Sequence, residues 1–225
     1  MYNSGMPKKT RANHATGAMA LPKDLGARLR QFRERKGITG RALAQHIGIS
    51  PSLISQIERG RVVPSVGTLY AITSQLEIGI DDLFKDATGY RPDGVVKAGT
   101  VKADAIGPVQ DGRTRKMIRL AEGITWERLT PQPDAETEFY YVVYEVGAES
   151  CPKDSLIRHG GKEYGFLIQG RLGLKIGFEE FVLKPGDSIS FDPQIPHRQW
   201  TIGKKRAEAI WVVSNRHSDN RKPQA

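Results

Sequence analysis

Residues 38–76 read ITGRALAQHIGISPSLISQIERGRVVPSVGTLYAITSQL, and the punctuation of this stretch decides the N-terminal fold. Thr39, Ser50 and Ser65 each precede an apolar run, where a short hydroxyl side chain accepts from the exposed N–H groups of a first helical turn. Pro51 suits the first position of a helix, because the N–H it lacks would have no partner there. Gly48 and Gly60 stand where helices end. Leu43 and Ile47 line the first helix of the stretch, Ile54 and Ile57 the second, and Leu69, Ile72 and Leu76 the third. Upstream, Leu25, Leu29 and Phe32 recur at i, i+4 and i+7, which predicts a helix from Asp24 that Gly37 breaks. A short turn around Asp81 to Phe84 completes five helical segments, a compact all-α unit over residues 23–86.

Within that unit, a helix that is to enter a DNA groove must be held by its predecessor at a tight angle. This takes a small residue inside the first helix and a flexible one at the turn, and Ala44 and Gly48 supply them. With Ile54 and Ile57 turned inward, Ser52, Ser55, Gln56 and Arg59 point outward as a hydrogen-bonding face. The stretch closely resembles the XRE family of helix-turn-helix regulators, with a lambda-repressor-like bundle. The resemblance implies that Pro51 to Glu58 form the recognition helix, with Ser52, Leu53, Ser55 and Gln56 nearest the bases. Gln suits bidentate contact with adenine. Arg41, Ser50, Arg59 and Arg61 would touch phosphate and fix register. Arg33 and Glu58 match positions that form a partly buried structural ion pair in relatives. Gly40 stands where the family often has a phosphate-gripping Gln, so one backbone contact is weakened or replaced.

The charge distribution agrees with this reading. The net charge is +9, and residues 1–61 carry 12 Lys and Arg against Asp24, Glu34 and Glu58, so the rest of the chain is neutral overall. Excess positive charge confined to the segment that would meet a polyanion is the footprint of phosphate-backbone binding. Residues 1–22, with Lys8, Lys9 and Arg11, read as a basic arm that could reach along the DNA. No apolar run approaches the roughly 20 residues of a membrane span, and no signal-peptide core follows the N-terminus. The single cysteine, Cys151, cannot close an internal disulfide and reads as an inert thiol. A cytoplasmic protein is expected.

Residues 87–112 lose all period and read as a linker, with an edge strand near Val95. Residues 113–214 read as β. Runs at 116–120, 125–129, 139–146, 164–169, 172–176, 181–183, 188–191 and 209–213 alternate with Gly, Pro and Asp turns, the pattern of a sandwich or barrel. Residues 215–225 read as a polar tail. The fold class is therefore α+β in two domains.

Period-two alternation sets Ile157 and His159 on one face of a strand, with Glu163 at the start of the next and His197 arriving later, after the turn at Pro185 to Asp187. Two imidazoles and a carboxylate from separate segments make the 2-His-1-carboxylate set that holds a divalent metal such as Fe, Zn, Ni or Mn with coordination positions left open. Here the chain resembles the cupins, a double-stranded β-helix or jelly-roll barrel. RHGGKEYGFLIQG at 158–170 and LKPGDSISFDPQIPH at 183–197 are similar to the two cupin motifs, with Ile157 in place of an earlier histidine and Thr201 in place of an asparagine. Arg158 and Arg198 flank the histidines and are expected outside, in solvent; Trp126, Tyr140 and Trp200 are candidates for the cavity lining or its rim.

Together the two resemblances imply a sequence-specific regulator whose barrel binds a small-molecule effector and which acts as a homodimer on a pseudo-palindromic operator in double-stranded DNA. The alternative is a helix-turn-helix cupin enzyme of oxygenase or epoxidase type using the same His-Glu-His set. Against it, Gly37 stands where the resembling epoxidase places an active-site lysine, and Ser-His-Asp, Walker and Rossmann patterns are absent from the sequence.

Overall fold

The computed structural model describes residues 23–84 and 108–216. The basic arm, the edge strand expected near Val95 and the tail beyond residue 216 lie outside the described residues. Four helices open the fold: α1 (Lys23–Arg35), α2 (Gly40–His46), α3 (Pro51–Glu58) and α4 (Val66–Leu76), followed by a 3-10 turn at Ile80–Phe84. Thr39, Ser50 and Ser65 accept from the N–H groups of Ala42, Leu53 and Thr68, each at 3.1 Å. Gly48 sits at φ +71 after α2, a left-handed conformation that Gly adopts without a Cβ clash. At Gly26 a Cβ would stand 2.1 Å from the Ile57 carbonyl oxygen, so α1 lies against the end of α3 at backbone contact.

The second half is built of antiparallel strands: β1 (Met117–Leu120), β2 (Ile124–Arg128), β3 (Thr137–Tyr144), β4 (Lys162–Gln169), β5 (Leu172–Ile176), β6 (Glu179–Leu183), β7 (Ser188–Phe191), β8 (His197–Thr201) and β9 (Ala207–Ser214). One sheet runs β1-β2-β3-β9-β4-β7, and a smaller one runs β6-β5-β8. Inward positions alternate along β3 and β4, so Tyr140, Val142, Tyr144, Glu163 and Leu167 face the interior.

Two expectations need correction. Strand β8 has no counterpart in the sequence reading, because its interior positions are polar: His197, Gln199 and Thr201 are buried where a strand pattern calls for apolar residues. And Ile157 and His159 do not share a strand. Ile157 makes a single isolated bridge to His197, and the chain around it, broken by Pro152, Gly160 and Gly161, extends no ladder.

The two halves meet through α4 and the 3-10 turn. The Gly67 N–H donates to Ser150 O at 3.2 Å, and the Ala121 N–H to Pro64 O at 3.0 Å. Asp81 accepts from the Tyr140 hydroxyl at 2.8 Å and from the Asp134 N–H at 3.0 Å. Arg216 closes the seam: it pairs with Glu138 at 2.9 Å, donates to the Thr73 hydroxyl at 2.8 Å, and lies over the Tyr70 ring. Glu138 in turn accepts from the Ile80 N–H at 2.9 Å. Buried apolar side chains run without a break from the helical bundle into the barrel. Among the described residues, no helix is long and apolar enough to cross a membrane.

Candidate metal centre and nucleic-acid interface

The barrel site is assembled from three segments. His159 comes from the loop before β4, Glu163 from β4 and His197 from the first position of β8, and all three are buried. His159 Nδ1 lies 2.9 Å from Gly160 O, and His197 Nδ1 lies 3.0 Å from Ile195 O. A ring nitrogen facing a carbonyl oxygen must carry the proton, so in the neutral imidazoles both Nε2 atoms present lone pairs. Both aim at one oxygen: Glu163 Oε1 is 2.6 Å from His159 Nε2 and 3.5 Å from His197 Nε2. The shorter approach is not aligned as a hydrogen bond, and His159 Nε2 has no hydrogen-bond partner. The other carboxylate oxygen accepts from Trp211 Nε1 at 2.7 Å.

Three donor atoms within 4.8 Å of one another, each fixed from behind by a carbonyl or an indole, suit a divalent cation. A buried nitrogen lone pair that no donor meets is what such an ion would satisfy. Burial would push the Glu163 carboxyl up, but the two imidazoles beside it outweigh that and hold it at about 2. Burial opposes the charged form of His197 as well, yet Glu163 draws its pKa above the usual value. Without a metal the centre therefore keeps its carboxylate ionised and favours a proton on His197, which an arriving cation would displace.

The neighbours leave little room. The cavity beside the triad is about 20 Å³, space for about one water-sized occupant. Tyr70 from α4 stacks on His159, ring centroids 4.3 Å apart and planes within 5°. Trp126 meets Tyr70 edge-on and stacks on Tyr140. Gly165 is needed here: a Cβ would come 2.2 Å from the Trp211 ring, which lies across β4 to reach Glu163.

Of the aromatic candidates, Trp126 and Tyr140 line the cavity, whereas Trp200 is half-buried on the smaller sheet. Arg158 is exposed. The expectation for Arg198 fails: it faces away from the cavity, but it is buried, pairs with Glu149 at 2.7 Å and lies over Trp200. Alternation gives the side of the sheet correctly; the cover comes from the segment at Glu149 and Ser150 that pairs with β8. Sequence reasoning missed Val66, Tyr70 and Trp211. Tyr70 and Val66 belong to an ordinary amphipathic helix, and nothing local says which surface that helix meets. Cys151 is buried, and burial raises its thiol pKa, which fits an inert thiol.

In the helical half, Arg41, Ser50, Pro51, Ser52, Arg59 and Arg61 are exposed, Ser55 and Gln56 are half-buried, and Leu53 packs partly against the core. The outward groups of α3 are tied to one another: Gln56 donates to the Ser52 hydroxyl at 3.2 Å, and Arg59 bonds the Ser55 carbonyl and hydroxyl. The Ser50 hydroxyl accepts as the helix cap and still has a proton to donate. Arg33 grips Glu58 through two hydrogen bonds, at 2.6 and 2.9 Å, and reaches the Ile38 carbonyl at 2.7 Å.

A capped helix-turn-helix with a polar outward face, docked on a jelly-roll barrel with a His-Glu-His centre, defines a two-domain helix-turn-helix cupin protein. Comparison with known proteins agrees. Residues 24–82 match the helix-turn-helix domain model and residues 135–213 the cupin domain model. The chain is 24% identical over 172 residues to the HTH-type transcriptional regulator PuuR of Escherichia coli K12, covering 76% of this chain and 84% of that protein. It is 40% identical over 58 residues to YazB of Bacillus subtilis 168, an uncharacterised HTH-type transcriptional regulator, covering 26% of this chain and 84% of YazB. A crystal structure of an HTH_3 family transcriptional regulator from Vibrio cholerae superposes with a TM-score of 0.58 at 19% identity, covering 85% of this chain and 95% of that one. The chain belongs to the XRE-like helix-turn-helix transcriptional regulators and carries a cupin domain.

Proposed function

We propose that the N-terminal domain lays α3 in the major groove of an operator, with Ser52, Ser55 and Gln56 reading bases and Arg41, Ser50, Arg59 and Arg61 holding phosphate, while the barrel binds a divalent metal at His159, Glu163 and His197 and senses a small effector there. The observation that carries the DNA reading is the division of α3. Ile54 and Ile57 are buried, the opposite face is polar and open, and the surplus positive charge lies in the same segment. The metal reading rests on the convergence of one ligand atom from each of His159, Glu163 and His197 within 4.8 Å of one another in a buried site.

The chain is read as a regulator and not an enzyme. The lining of the cavity includes no Lys or Arg to receive an anionic substrate. The enzyme alternative draws on the triad alone. The regulator acts as a homodimer; Tyr164, Phe166 and Ile168 form an exposed apolar row on the outer face of β4, a surface that a second copy would bury. Two recognition helices would then face half-sites about one helical turn apart.

The test begins with DNA selected from a random pool by the full-length protein. Gln56→Ala is expected to cost about 1–3 kcal/mol on the selected sequence and little on random DNA. Arg61→Ala is expected to weaken both alike and to lower the slope of log affinity against log salt by about 0.9. Failure of the wild-type protein to bind duplex DNA at low salt would end the DNA reading. Sedimentation showing a monomer on a single half-site would end the dimer, and iron-dependent turnover without DNA binding would favour the enzyme.

A further inference from the structure

We propose that helix α4 of the DNA-binding domain is the removable wall of the barrel site, so that any occupant larger than a metal ion enters only as α4 lifts from the barrel. This rests on the reading of the barrel as a sensor, and it assigns the step that links the sensor to DNA binding. The residues lining the cavity come from the barrel except Val66 and Tyr70, which α4 contributes. Barrel walls are held by hydrogen-bonded ladders; the α4 wall is held by side chains and one backbone bond, from the Gly67 N–H to Ser150 O. At about 20 Å³ the closed cavity admits one ion or one water. Tyr70 covers the face of His159 at stacking distance, so a ligand that coordinates beside His159 meets the Tyr70 ring first.

The contacts that seat α4 suit release. Around the buried Tyr70, the seam is made of a guanidinium over a ring, a hydroxyl held by Arg216, and one backbone bond at Gly67. The polar groups among these, the Arg216 guanidinium, the Thr73 hydroxyl and the Gly67 N–H, find partners in water once the seam opens, so the cost of lifting α4 is set by the Tyr70 ring, which leaves Trp126 and His159. Because α4 and α3 belong to one bundle, lifting α4 moves the recognition helix relative to the barrel. In a dimer, that changes the spacing of the two reading heads. An effector that binds only the lifted state shifts the population towards it by its own binding free energy.

The structure supplies its own lock. A Cβ built on Gly67 lies 3.3 Å from the Cβ of Cys151, close to the roughly 3.5–4.5 Å of a disulfide, and Cys151 is the chain's single cysteine. Gly67→Cys would bolt α4 to the barrel when oxidised and release it when reduced. Two probes are read on the full-length variant in both redox states: acrylamide quenching of tryptophan, since Trp126 and Trp211 line the cavity, and imidazole added to the cobalt(II)-loaded protein, followed by the visible absorption of the metal.

The expected result is equal cobalt uptake in the two states, less quenching in the oxidised one, and imidazole affinity about tenfold weaker or more in the oxidised one. Equal access of both probes in both states would overturn the proposal. Should neither state bind cobalt, the metal reading fails and acrylamide alone decides: reduced quenching after oxidation supports the wall, and unchanged quenching refutes it. If the disulfide does not close, Tyr70→Ala serves instead. It should be quenched more than wild type and, where cobalt binds, should bind imidazole about tenfold more tightly, and no gain in access would refute the proposal.

Discussion

Asp81 is a carboxylate in the wrong place for a charge. It is buried where the 3-10 turn meets the barrel, and burial raises its pKa to about 6, against the opposing bonds from the Asp134 N–H and the Tyr140 hydroxyl; the Glu138 charge adds to the rise and Arg128 opposes it. A folded-state pKa above the ordinary 3.8 means that stability is fully present below about pH 4 and is lost as pH rises through about 6. The difference corresponds to roughly 3 kcal/mol. Asp81→Asn should remove it. Its carbonyl can still accept from Asp134, and its amide can donate to the Tyr140 oxygen, which then turns its own proton elsewhere. Urea denaturation at about pH 4.5 and pH 8 is expected to show the variant gaining roughly 3 kcal/mol at the higher pH and only about 1 kcal/mol at the lower. An identical pH dependence in both proteins would place the titrating group elsewhere.

Two elements can be tested by what crosses them. In β4, Gly165→Ala forces the Trp211 ring away and breaks its bond to Glu163. The overpacking is expected to cost about 1–3 kcal/mol, and loss of the indole donor to weaken zinc binding about 10- to 100-fold in a calorimetric titration. Trp211→Phe, which removes the donor without the clash, should reproduce the second effect with less of the first. In the bundle, Glu58→Ala takes away the two strongest bonds of the part-buried Arg33 between α1 and α3, leaving it the Ile38 carbonyl and the more distant Glu34 carboxylate, and the melting curve should report a loss of about 1–3 kcal/mol. The apolar pair Arg33→Met with Glu58→Leu should recover most of it. Such elements were legible to different degrees. The helix-turn-helix reads plainly because its caps, its Pro51 and its Gly48 act within a few residues of themselves. The triad was legible from motif and spacing, though not the loop that delivers His159. Strand β8 was hidden by its own polarity, since a strand that turns His197, Gln199 and Thr201 inward inverts the pattern by which strands are recognised. Tyr70 and the cover over Arg198 were illegible, because each depends on which distant segment docks there.

At the scale of the molecule, the shared core makes a claim about cooperativity. Tyr70, Trp126, Tyr140 and Phe84 form a continuous chain of ring contacts across the seam, with Tyr70 also on His159 and under Arg216. Unfolding either half exposes the apolar surface of the other, so each half is stabilised by the presence of its neighbour. Differential scanning calorimetry of the full chain is then expected to give one transition, with equal calorimetric and van't Hoff enthalpies. Zinc at about 100 times its dissociation constant should raise that transition by roughly 2.7 kcal/mol of added stability, and the helical bundle should share the gain although it contributes no ligand. Tyr70→Ala is the decisive comparison. It removes the ring that makes three of these contacts, with Trp126, His159 and Arg216, at an expected cost of about 3–5 kcal/mol, and should split the trace in two: an early, zinc-insensitive transition for the bundle and a later, zinc-sensitive one for the barrel. Two transitions in the wild-type protein, with only the later responding to zinc, would mean that the seam carries too little energy to couple the halves. The linkage between barrel and recognition helix would then have to run through a partner subunit.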